Sequence, residues 1–152
     1  MAAPPPGADP GGVSSYQHPQ TRQAPSPLQE VSWPLVLGLG AFALVRPLLN
    51  ITGVADALGR PATPLLATLV ISLVWVVVAA TRARQPLLTL VLAGITYAVL
   101  SVILSGVLSV LLEGELQGPL TNPVGIVGVL VTNVIWGAVT GVIAMVASGR
   151  RD

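Results

Sequence analysis

The chain has 152 residues, 53% hydrophobic and only 9% charged, with a net charge of +1. Soluble domains carry about 25% charged residues, so this composition points to a membrane protein, and its small net charge offers no field to gather nucleic acid. There is no Cys, and the one His is His18, which excludes thiolate or multi-histidine metal sites, cysteine nucleophiles and histidine catalysis.

Residues 1–30 are rich in Pro, Gly, Ser and Gln, with almost no large apolar side chain. Such a segment cannot bury enough surface to offset its ordering entropy, so a disordered cytoplasmic tail is expected. Its prolines also suit a partner that reads extended proline-rich segments. Residues 31–152 are expected to form one domain, an all-α bundle of four transmembrane helices.

The first span is expected over residues 35–55, entered through Trp33 and Pro34. Arg46 and Pro47 interrupt it. Pro47 has no amide hydrogen and its ring collides with the carbonyl of Ala43, so a kink is expected, with that freed carbonyl a possible acceptor for the Arg46 guanidinium. A loop with Asp56, Gly59, Arg60 and Pro61 leads to a second span over 65–81, near the short limit for crossing. A basic turn containing Arg82 and Arg84 leads to the third span, 87–112. This uncharged run of about 26 residues makes a helix of about 39 Å, longer than a hydrocarbon core of about 30 Å. An acidic loop with Glu113 and Glu115 precedes the fourth span, 124–148.

The third and fourth spans carry small residues at helical spacing. Gly94, Ala98, Ser101, Ser105 and Ser109 fall on one face of the third, and Gly137 and Gly141 form a GxxxG pair in the fourth. Small residues let helix backbones approach closely. Gly94, Ala98, Ser109, Gly137 and Gly141 are therefore the candidate packing residues, with Ser101 and Ser105 expected opposite the two glycines. Counting about 1.5 Å per residue from the acidic-loop side puts Arg46, Ser72, Ser101, Ser105 and Asn133 roughly 10–16 Å deep. These five are the candidate intramembrane polar layer. Trp75 and Trp136 lie nearer the midplane, where core packing is their expected role.

Arg22, Arg82, Arg84, Arg150 and Arg151 share one side of a four-span topology, against Arg60 alone opposite. The positive-inside rule then places both termini in the cytoplasm. Every basic residue is Arg, which together with the abundant Ala, Gly, Pro and Val suggests a GC-rich bacterial genome and its plasma membrane. No span holds Asp, Glu or His, so no general acid or base reaches membrane depth. The expectation is a non-enzyme without metal or cofactor. Its expected contacts are the lipid bilayer and either further copies of itself or a larger membrane protein. Two functions fit: an accessory or interaction component acting through helix contacts, or a small transporter or pore subunit, with an anion as the cargo its charge suits, built around Arg46.

Overall fold

A computed structural model describes residues 26–52 and 62–149. The expected tail over residues 1–25, the loop bearing Asp56 and Arg60, the end of the first span at Ala55, and Arg150 and Arg151 lie outside the described residues. The described residues form five α-helices and two 3-10 turns, with no strand among them. Four spans are long and apolar enough to cross a membrane, and the protein is an all-α polytopic membrane protein.

The first span is two helices, α1 (Trp33–Phe42) and α2 (Val45–Ile51). The break falls at Ala43 and Leu44, one turn before Pro47, because that is where proline acts. With no Pro47 amide to bond it, the Ala43 carbonyl accepts from the Arg46 backbone N–H at 3.1 Å, and Leu44 N–H bonds Ala41 O at 3.0 Å. Both bonds reach back three residues, the tighter pattern of a 3-10 turn. The carbonyl expected for the guanidinium is therefore used by the backbone of the same residue.

The second span is α3 (Ala62–Arg82), longer at both ends than expected. The third is α4 (Pro86–Glu113), opened by Pro86 in its first turn, where no amide bond is lost. Gly114, at φ +73°, closes it in the left-handed conformation and donates its N–H to Val110 O at 3.1 Å. The fourth is α5 (Pro123–Ser148), started by the Asn122 side chain accepting from Val124 N–H at 3.0 Å.

The spans are ordered one, three, four, two around the bundle. The α4–α5 interface is the most extensive, followed by α1–α4 and α3–α5, while α3 and α4 touch little although a three-residue turn joins them. Glycine accounts for the closest approaches. A Cβ on Gly137 would strike the Leu90 carbonyl, and one on Gly141 would lie 2.9 Å from Leu87 Cα. A Cβ on Gly94 would strike the Asn133 carbonyl, and one on Gly40 of α1 would sit 2.7 Å from Thr96 Cγ2. The third span thus serves two partners, α5 through Leu90 and Gly94, and α1 through Ala93 and Thr96.

Two tiers result. On the side of the Arg82–Arg84 turn, Leu39, Ala43, Trp75, Ala79, Leu90, Ala93 and Ala144 form a buried apolar core. That end is also tied by Gln85 Nε2–H donating to Glu30 Oε2 at 2.9 Å. Crevices border Arg46, Ser101 and Ser105 toward the Glu113 loop, and a separate one opens at the far end beside Arg84, Leu88 and Met145. Leu69, Leu73, Val107, Val131 and Val146 are among the exposed apolar side chains round the outside, the surface expected of a protein solvated by lipid.

Candidate functional site

The open tier holds the candidate polar residues, but as adjoining cavities rather than one layer. Arg46, Ser72 and Asn133 line a small cavity of about 40 Å³ together with Thr68, Trp75, Tyr97 and Trp136. Arg46 and Asn133 also line a larger one of about 420 Å³, with Tyr97, Ser101 and Thr132. Ser105 is not on either. It lines a third cavity of about 410 Å³ with Asn50, Ser109, Glu113 and Gln117, which Ser101 shares. The helical count placed these residues at similar depth but could not say which way each faced, and one turn of α4 separates Ser105 from the Arg46 cavities.

Most of the neutral groups are satisfied locally. Ser101 Oγ–H donates to Ala98 O at 2.9 Å, Asn133 Nδ2–H to Val129 O at 2.8 Å and Ser72 Oγ–H to Thr68 O at 2.7 Å. These back-bonds within a helix are the default for a polar side chain with no water to turn to. Neither Asn133 nor Ser101 holds the Arg46 guanidinium. Among the described residues that cation has no hydrogen-bond or ion-pair partner.

Two tryptophans frame the site, and their polar role was not legible from packing alone. Trp75 Nε1–H crosses from α3 to the Leu39 carbonyl of α1 at 3.0 Å. Trp136 Nε1–H crosses from α5 to Ser72 Oγ of α3 at 3.0 Å. The available signal was their depth. An indole N–H away from the interfacial belt needs a protein acceptor, and these bonds join three spans, the first of them within the closed core.

Of the candidate packing residues, Gly94, Gly137 and Gly141 lie at the α4–α5 seam and Ala98 is buried beside it. The two glycines of α5 face Leu87 and Leu90, not Ser101 and Ser105. Because α4 and α5 are antiparallel, residues late in α5 meet residues early in α4. The buried row on α4 runs Leu90, Gly94, Ala98, Val102 and Gly106 at four-residue spacing, with the serines on an adjacent face. Ser109 binds the loop instead, accepting from Gln117 N–H at 3.1 Å and donating to Gly106 O at 2.9 Å. Leu120, in the 3-10 turn Gly118–Thr121, packs over Gly106, so the loop forms a wall of the open tier.

In electrostatic terms the site is a cation over a ring of dipoles. It holds no carboxylate on either Arg46 cavity, and no group of three or more His, Cys, Asp or Glu occurs among the described residues. Its charge suits an anion, and Tyr97, which lines both cavities, is the one side chain there with a dissociable proton of its own besides the guanidinium. Comparison with known protein families, curated proteins and solved structures returns no match for this chain, so the meaning of the site rests on its own geometry.

Proposed function

We propose that the protein is a non-enzymatic accessory or interaction component of a bacterial plasma membrane, with both termini cytoplasmic, acting through its helix faces. The observation that supports this reading is the closed tier. Leu39, Trp75, Ala79, Leu90, Ala93 and Ala144 are each 6% exposed or less, and the cavity of about 590 Å³ bordered by Arg84, Leu88 and Met145 beyond them shares no lining residue with the Arg46 cavities. A pathway through the closed tier would require breaking the Trp75–Leu39 bond and parting the glycine seam. The competing reading, a transporter or pore subunit, is favoured by Arg46, which has no partner among the described residues, yet a cation above a buried apolar core suits binding better than passage.

The chain contains no Cys, so single introduced cysteines test the orientation cleanly. An impermeant maleimide on intact cells is expected to label Gln117→Cys and leave Ser26→Cys protected; the reverse pattern would overturn the topology. A separate measurement addresses function. Photo-reactive residues at the exposed positions Leu37, Leu69, Val107 and Val131, one per span, are expected to yield a discrete protein adduct from at least one face in native membranes. Purified protein in liposomes is expected to leave anion efflux at the protein-free rate. Absence of an adduct from every face, or a measurable anion flux, would defeat the accessory reading.

A further inference from the structure

The larger Arg46 cavity is unusual in what lines it. Arg46, Tyr97 and Thr132 all line it, and the guanidinium and the two hydroxyls have no hydrogen-bond partner among the described residues. Asn133 adds a second amide hydrogen beyond the one given to Val129. These groups come from three spans, α2, α4 and α5, and no carboxylate lies among them. Glu113 borders only the neighbouring cavity, and its 12-residue separation from Ser101 corresponds to about 18 Å of helix. The lining thus gathers unspent donors around one permanent cation; Arg46 and Thr132 are exposed and Tyr97 and Asn133 half-buried, so the group is open to an incoming ligand, and at membrane depth an unspent donor gains by meeting one.

We propose that this cavity is a binding site for a phosphate group, with Arg46 as its anchor and Tyr97, Thr132 and Asn133 as neutral donors. The planar guanidinium fork matches two phosphate oxygens at once, and hydroxyls on separate helices offer donors for the remaining ones of a tetrahedral group. The volume, about 420 Å³, falls in the range of small-molecule pockets, about 300–1,000 Å³, and greatly exceeds what a halide needs. Arg46 lies six residues before Thr52, about 9 Å along the helix, within reach of a lipid phosphodiester dipping from the surface and of a free phosphate from water. The proposal stands apart from the helix-contact reading, because it rests on the open tier and not on the outer faces.

Tryptophan emission reads the site directly. The chain has three tryptophans; Trp75 and Trp136 border the smaller Arg46 cavity, and Trp33→Phe removes the remaining one. In that background, detergent-purified full-length protein is titrated with short-chain phosphatidylglycerol, with inorganic phosphate, and with short-chain diacylglycerol as the phosphate-free control. A saturable emission change with the phospholipid, not displaced by inorganic phosphate, identifies a lipid headgroup. A saturable change with inorganic phosphate identifies a free anion. In either case Arg46→Gln is expected to weaken binding by about tenfold or more, the loss of charge-assisted hydrogen bonds, and Arg46→Lys by less. Equal binding by Arg46→Gln, an equal response to diacylglycerol, or no saturable response to either phosphate source would overturn the proposal. Should Arg46→Gln lose its native elution volume, the pair Tyr97→Phe and Thr132→Val decides. Unchanged affinity in that double variant refutes the site, and weakened affinity with native melting supports it.

Discussion

Gly137→Ala is expected to push the third and fourth spans apart and to destabilise the bundle by about 1–3 kcal/mol, the range for overpacking a close contact. The added Cβ meets the Leu90 carbonyl and lies 3.1 Å from Val91 Cα. Both are backbone atoms of an intact helix and cannot swing aside as a side-chain end would. Gly38→Ala supplies the control, because a Cβ there meets nothing within 4 Å. It should be neutral, or stabilising by some of the roughly 0.5–1 kcal/mol that separates Ala from Gly inside a helix. Thermal unfolding of both variants in one detergent makes the comparison. Equal midpoints, or a lower midpoint for Gly38→Ala, would show that the seam lies elsewhere.

Trp75→Ala is expected to cost about 3–5 kcal/mol, as for truncation of other buried large aromatics. Its indole is 3% exposed and belongs to the closed core, where it also donates to the Leu39 carbonyl. Trp75→Phe separates the two contributions. It keeps most of the apolar bulk and removes the donor, so the loss attributable to the bond should be about 0.6 kcal/mol and at most about 1.7. Trp136→Phe should cost less than Trp75→Ala, since Trp136 is 45% exposed and leaves behind a Ser72 hydroxyl already bonded to Thr68. Denaturant unfolding followed by circular dichroism gives the ranking. A Trp75→Ala variant as stable as the parent would remove Trp75 from the core.

The four spans were legible because hydrocarbon solvation imposes a length and a polarity that composition alone reveals. The break in the first span was legible in kind, since Pro47 has one mechanical effect, and its position at Ala43 follows from the carbonyl that proline strands. The seam was half legible. Gly137 and Gly141 announce a close approach, but a glycine motif does not carry its partner's register. Antiparallel packing against Leu87 and Leu90 depends on how the loop around Ser109, Gln117 and Leu120 folds back, which no periodicity encodes. The five candidate polar residues were found by depth, and depth has no angular coordinate. That is why Ser105 went with Asn50, while Thr132, unremarkable in sequence, and the aromatic Tyr97, legible only as a packing residue, joined Arg46. The order of spans round the bundle was not readable, because a small or polar face marks a contact without saying which span meets it.

That order has a consequence for synthesis. The helix that receives Gly40 of α1 does so at Thr96, about 55 residues later in the chain. At cellular elongation rates of about 5–20 residues per second, the first span exists for roughly 3–11 s before its packing partner is made. During that interval it is a pair of short half-helices with an arginine at the hinge, exposed to lipid or to the insertion machinery. The first span therefore waits for its partner, and its fate in the membrane depends on a helix not yet translated.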